Sequence, residues 1–179
     1  MISILVSFYI LIFIFAIIGA LRGWAKELLV SFSVILALAL IAVFEELLPI
    51  TRDLIREGST QQFWIRTIIV ITLVVFGNQS PKLAQLSRAA ARRDQIQDII
   101  LGLIFGAING YLIFGTLWAY MNDAGYPFTP YITAPSPTDP LGETALKVVE
   151  ILPPNWLGES PLIFVATVIA FIFVIVVFI

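Results

Sequence analysis

Residues 99–121 read IILGLIFGAINGYLIFGTLWAYM, an apolar stretch without a single charged side chain. The hydrocarbon core of a bilayer is about 30 Å thick, and about 20 residues of α-helix are needed to cross it. The stretch is therefore long enough to span a membrane. It also carries Gly102, Gly106 and Gly110 at four-residue intervals, which places the three glycines on one face of a helix.

Four more apolar stretches accompany it, at residues 2–21, 28–44, 63–77 and 162–179. Backbone polar groups must be satisfied inside lipid, so continuously apolar stretches predict helices. The third stretch is the weakest because Arg66 interrupts it. An interfacial or re-entrant helix is one interpretation of it, and a full span with Arg66 snorkelling to the nearer interface is the other. We predict an all-α, polytopic transmembrane bundle of about five spans.

The composition excludes several classes of protein. Hydrophobic residues make up 60% of the chain and charged residues 12%, too few to cover a water-exposed surface. A net charge of −2 offers no basic face for nucleic acid. The chain has no cysteine and no histidine, which removes the usual ligands of zinc, haem and iron–sulfur clusters. We therefore expect no cofactor and no enzymatic activity, since no nucleophile and base can be paired from the sequence.

The basic residues predict the orientation, because cytoplasmic loops carry an excess of Lys and Arg. An outside N-terminus and an inside C-terminus place most of them in the inner loops. The inner loops then hold Arg22, Lys26, Lys82, Arg88, Arg92 and Arg93, and the outer loops hold Arg52, Arg56 and Lys147.

Residues 81–98 between the third and fourth spans form a predicted amphipathic helix. Its basic side chains Lys82, Arg88, Arg92 and Arg93 are candidates for contact with anionic lipid headgroups. An ordinary positive-inside anchor without lipid specificity is the alternative interpretation.

The chain divides into a four-span core at residues 1–121, an outer-face loop at 122–160 and a fifth transmembrane helix at 161–179. The loop contains seven prolines and five acidic residues. Within it we predict a short amphipathic helix at 140–152, capped by Asp139. Its apolar stripe would dock either on the bundle or on a partner.

Several residues are candidates for a site inside the bundle. The glycine face of the fourth span would let another helix approach closely, and Asn109 could hydrogen-bond across that contact. Arg22 and Glu27 lie in the tight turn between the first two spans, close enough to form an ion pair. Arg66 is an intramembrane charge, which is a functional candidate by default. The predicted spans hold no Asp, Glu or His, the residues usual in a proton-coupled transporter.

Two stretches resemble the signature sequences of the colicin V production protein (CvpA) family. They are GALRGWAKE, with Gly19, Arg22, Gly23 and Glu27, and DIILGLIFGAINGYLI, with Asp98, Gly102, Phe105, Gly106 and Gly110. The resemblance covers about residues 1–150. Family members commonly have Arg directly after the signature Asp, whereas this chain has Ile99, and the fifth span is additional to a four-span core.

The resemblance implies a multi-pass protein of the bacterial inner membrane, linked to toxin production and envelope homeostasis. We expect it to act through helix packing, lipid contact or partner binding. The predicted partners are membrane lipids and other membrane-protein subunits, held through the fourth and fifth spans and the 122–160 loop. One alternative is a cofactor-free accessory subunit of a larger membrane complex, such as an electron-transfer assembly. A small channel or transporter is a third.

Overall fold

The computed structural model describes residues 3–47, 56–79 and 95–178, and these residues form helices without strands. In chain order the helices are α1 (Ile4–Arg22), α2 (Trp24–Leu47), α3 (Thr60–Asn78), α4 (Gln95–Asp123), α5 (Gly142–Glu150), α6 (Pro153–Trp156) and α7 (Leu162–Phe178). Among the described residues, α1 to α4 are long and apolar enough to cross a membrane. The shorter apolar α7 has 17 residues, the lower end of the spanning range. The predicted all-α membrane bundle is confirmed, whereas its orientation stays a prediction.

Three helices begin earlier than their apolar stretches. α2 begins at Trp24, so that Glu27 lies within the helix. α3 begins at Thr60, where the Ser59 hydroxyl accepts a hydrogen bond from the Gln62 amide over 3.2 Å. Capped in this way by Ser59, the helix α3 has a length of 19 residues, which is enough for a full span despite Arg66. The 29-residue α4 is about 43 Å long, which exceeds the thickness of the hydrocarbon core.

α2 is the central helix of the bundle. It contacts α3, α4 and α7, while α1 packs along α4. In the apolar 18-residue segment of α2, 61% of the residues are buried, compared with 22% in the corresponding segments of α1 and α3. The two ends of the bundle differ: the turn end carries the α1–α2 turn at Gly23, and the platform end carries residues 124–160.

Residues 124–160, which we call the loop platform, fold back onto the bundle. Ala145 and Val148 of α5 and the following Leu152 are buried, and the Tyr111 hydroxyl donates to the Ile151 carbonyl. The predicted apolar stripe therefore docks on the bundle rather than on a partner.

The platform helix is two residues shorter at each end than the predicted range of 140–152. α5 spans Gly142–Glu150, and its N-cap residue is Leu141. Asp139 does not cap the helix, because its carboxylate accepts a hydrogen bond from the Ser136 amide while its carbonyl accepts from the Gly142 amide in a turn. The chain then turns after Glu150 into the short α6, which Pro153 begins.

Candidate functional site

The glycine face of α4 lies directly against α1. A Cβ atom at Gly106 would overlap the Phe15 carbonyl oxygen, and one at Gly102 would overlap the Gly19 carbonyl oxygen. Farther along, a Cβ at Gly110 would lie 2.8 Å from the Cα of Ile12. All three α4 glycines are thus required for the two backbones to touch, which is the packing typical of small residues in membrane helices. This face is occupied within the chain, so it is not open to a second protein.

Gly23 forms the tight turn between α1 and α2 and contacts the first turn of α4. Its φ angle is +86°, a conformation that side chains rarely adopt. A Cβ at this position would also lie 2.8 Å from the Asp98 Oδ2 atom. Glycine is therefore required here both for the backbone conformation and for the close approach of the Asp98 carboxylate.

A buried polar cluster joins α2 to the middle of α4. The Asn109 amide nitrogen donates to Glu27 Oε2 and to the Glu27 carbonyl, each over 2.8 Å. The Ser31 hydroxyl donates to Asn109 Oδ1 over 2.6 Å. Glu27 is 1% exposed and Asn109 is fully buried. The carboxylate of Glu27 is thus held inside the bundle by a side chain from another span.

Arg22 supplies the positive charge beside this carboxylate. Its Nη1 atom lies 3.0 Å from Glu27 Oε1, without the alignment of a hydrogen bond. Its Nη2 atom donates a long hydrogen bond of 3.5 Å to the Asn78 carbonyl at the end of α3. A partly exposed guanidinium, 26% accessible, therefore balances a buried carboxylate and bridges three helices.

The position of Glu27 inside α2 was not predicted from the sequence. Glu27 was predicted to lie in the turn between the first two spans, and the spans were predicted to hold no acidic residue, which is wrong for α2. The reason is that α2 begins immediately after Gly23, so Glu27 lies in its first turn. The four-residue spacing of Glu27 and Ser31 was the available signal, because it places both polar side chains on one helix face.

Arg66 belongs to a second charged cluster, at the platform end. Its Nε and Nη2 atoms donate to the two carboxylate oxygens of Glu45 over 2.7 and 2.8 Å. Its Nη1 atom donates to Asp123 over 3.2 Å, and its guanidinium lies 5.0 Å from the centre of the Tyr120 ring. The intramembrane charge is therefore paired with residues near the ends of α2 and α4.

A cavity of about 680 Å³ lies between the platform and the platform ends of α1, α3 and α4. Its buried wall includes Phe8, Trp118 and Ala145, and its exposed rim includes Tyr131 and Asp139. The volume falls within the range of roughly 300–1,000 Å³ that is usual for small-molecule sites.

The connection that closes this end of the bundle is fixed by Tyr126. The residue has a φ of +57°, and its side chain is buried although it lies in a loop. The Trp118 indole donates to the Tyr126 hydroxyl over 3.0 Å, and burial raises the pKa of that phenol. The hydrogen bond from Trp118 therefore holds the platform against α4.

The predicted lipid-contact residues Lys82, Arg88, Arg92 and Arg93 lie outside the described residues, so their role stays a prediction. Of the predicted helix at 81–98, only the last residues are described, and those form the first turn of α4. Among the described residues, no group of three acidic side chains is placed to hold a metal ion.

The two sequence stretches with family signatures thus meet at one place, the α1–α2 turn against α4. The family model of the colicin V production protein matches residues 5–137. The chain belongs to this family. No curated protein and no solved structure matches the chain significantly.

The matched range contains α1 to α4 and the first part of the loop platform, whereas α5, α6 and α7 lie beyond it. Within the colicin V production match, Gly19, Gly102 and Gly106 form the helix contact, while Gly23 contacts Asp98 and Arg22 pairs with Glu27. These seven signature residues therefore contact one another.

Proposed function

We propose that this member of the colicin V production family is a non-enzymatic protein of the bacterial inner membrane that binds another membrane protein. Its role would lie in envelope homeostasis or toxin production, as the family resemblance implies. The observation that carries the proposal is the loop platform, a folded surface outside the spans that exposes large apolar side chains.

The platform exposes several large apolar side chains. Tyr131 is 86% exposed and Ile151 is 59% exposed, and Leu141, Leu146 and Trp156 are also exposed. Aromatic side chains are enriched at protein interfaces, where they add contact area at low entropic cost. The platform is fixed to the bundle through Leu152 and Tyr126, so a partner would meet a preformed surface.

The platform also exposes acidic groups. Glu143, Glu150 and Glu159 are exposed on the platform, and Lys147 is paired with Glu143 over 2.7 Å. Charge complementarity then favours a partner with basic residues around an apolar patch.

The experiment is extraction of the native protein in mild detergent, followed by sizing and mass spectrometry of the proteins that travel with it. Ile151→Ser removes exposed apolar area and leaves the buried Leu152 in place, and we expect it to weaken the association by about tenfold or more. Lys26→Ser, at the exposed surface of the turn end, is the control and should leave the association intact. A chain that migrates alone, or an association that Ile151→Ser does not weaken, contradicts the proposal.

The same preparation tests the accessory-subunit alternative. A stable complex with redox subunits would make this chain a cofactor-free accessory subunit of that assembly. α7 packs one face against α2, with the Phe32 and Phe171 rings 4.7 Å apart, and most of its other side chains are exposed. Those exposed side chains would then be the second surface for contact with the larger complex.

A channel or transporter is favoured by one observation, the buried carboxylate of Glu27 beside Asn109. Ionisable groups inside membrane spans commonly mark ion or substrate pathways. Flux through liposomes containing the purified protein should then disappear with Glu27→Gln. Absence of flux in the unmodified protein contradicts this function.

A further inference from the structure

The cavity at the platform end has the chemistry of a binding site for a small amphiphile. Most of its lining is apolar, with Phe8, Phe114, Leu117 and Trp118 forming one wall. Phe8 and Trp118 are 4% and 3% exposed, and their rings contact each other with centroids 5.2 Å apart. An apolar body of small-molecule size would be enclosed here on several sides.

The cavity lies where the spans meet the platform. Its lining combines span residues such as Ser7 and Phe63 with platform residues such as Ile132 and Asp139. Next to it, the Trp64 ring is exposed and contacts Phe128 edge-on. Exposed tryptophans favour the membrane–water interface. A ligand in this position could place its apolar body toward the bilayer depth and its polar end in water.

The negative charge at the rim of the cavity determines which polar group a ligand can place there. Asp139 contributes an exposed carboxylate, and no Lys or Arg lies among the described residues that line the cavity. One Asp139 oxygen accepts from the Ser136 amide over 3.1 Å. A carboxylate accepts hydrogen bonds and repels anions, so hydroxyl or ammonium groups are favoured over carboxylates and phosphates.

We propose that this cavity binds a small amphiphile with a neutral or cationic polar end, its apolar body against the wall that Phe8 and Trp118 form and its polar end at Asp139. Tyr131 and Leu141 line the cavity and also belong to the proposed partner surface, whereas Ile151 does not line it. Ile151→Ser therefore tests partner binding without changing the lining of this site. The site differs from an anionic-lipid site, which would need a cation at the rim.

Trp118 provides the reporter for the test. The chain has four tryptophans, and replacing Trp24, Trp64 and Trp156 by Phe leaves Trp118 as the single fluorophore. The probes are three terminally brominated alkyl chains of equal length, an alcohol, an amine and a carboxylate, because bromine quenches tryptophan only at short range. The protein is held in nanodiscs of neutral lipid.

We expect saturable quenching of Trp118 by the alcohol and the amine. The carboxylate should bind about fivefold more weakly than the alcohol, as the repulsion of two like charges in a water-exposed rim requires. Asp139→Asn should remove the difference between amine and carboxylate and leave the alcohol unchanged. Asn can still accept from the Ser136 amide, so this variant preserves the local turn.

Ser7→Phe fills the cavity from α1, and we expect it to abolish saturable quenching. The matched control is Val6→Phe, which adds the same ring at the neighbouring position outside the cavity lining. Quenching that is non-saturable, or equal in both variants, would show that the probes only partition into the bilayer. Preference for the carboxylate, or a difference between amine and carboxylate that Asp139→Asn leaves intact, would equally overturn the proposal.

Discussion

Asn109 on α4 donates hydrogen bonds to both the side chain and the backbone carbonyl of Glu27 on α2, each over 2.8 Å. The two residues are 82 positions apart in the chain. Because Asn109 also accepts from Ser31, its whole amide group is used in joining the two helices. The contact therefore fixes how α2 and α4 are rotated against each other.

Asn109→Leu keeps the size of the side chain and removes all three hydrogen bonds. We expect the free energy of unfolding to fall by about 2 kcal/mol, because the buried Glu27 carboxylate loses a hydrogen-bond donor. Reversible unfolding in mixed detergent micelles measures the change. Ile108→Leu, at the exposed neighbouring position, should leave the stability unchanged, and equal stability of both variants would contradict the role of the amide.

Gly106→Ala tests the contact between α1 and α4. The added methyl group overlaps the Phe15 carbonyl, so the helices must separate, and we expect a loss of about 1–3 kcal/mol in unfolding free energy. Leu103→Ala on the exposed side of α4 is the control, with an expected change within about 0.5 kcal/mol. If Gly106→Ala is as stable as Leu103→Ala in the same unfolding assay, the two backbones do not touch.

Arg66→Lys should weaken the platform end even though the charge is kept. Lysine cannot donate in parallel to both oxygens of Glu45, as the Arg66 guanidinium does. We expect a loss of about 1 kcal/mol, since the pair is partly exposed to solvent. The contrasting variant is Lys147→Gln, which breaks a largely exposed pair and should change the midpoint of thermal unfolding very little. A reversed order of the two midpoints would refute the assignment.

The predicted orientation is testable because the chain has no cysteine that would react in the background. Glu143→Cys on the platform and Lys26→Cys at the turn end both replace exposed side chains. In intact bacterial cells, a membrane-impermeant maleimide should label the platform cysteine alone. Permeabilised cells should show labelling of both. Labelling of the turn-end cysteine in intact cells would mean that the chain is inserted in the opposite direction.

The apolar stretches predicted the spans well, because uncharged runs of about 20 residues have few alternatives to a membrane helix. The glycine spacing likewise predicted a close-packed face, and the structure places all three glycines against α1. Which helix would cover that face could not be deduced, since periodicity describes one helix and not its neighbour. The sequence thus left the face open to a partner, whereas α1 of the same chain occupies it.

The charged residues were harder to place. Arg22 and Glu27 were predicted to pair, and they do, but the burial of Glu27 depends on Asn109 arriving from a distant span. No partner was predicted for Arg66, because Glu45 and Asp123 lie far from it in the chain. The cavity gave no sequence signal, as it forms only where the platform folds against α1, α3 and α4.

α2 holds a paired carboxylate near each of its ends, Glu27 with Arg22 and Glu45 with Arg66. A piston-like displacement of α2 along the membrane normal would have to break both ion pairs and the Asn109 contact together. The position of α2 along the membrane normal is therefore fixed relative to the neighbouring helices. If the bilayer becomes thinner or thicker, the bundle should respond by tilting as a unit, or through α7, which contacts α2 at its side and carries no charged side chain.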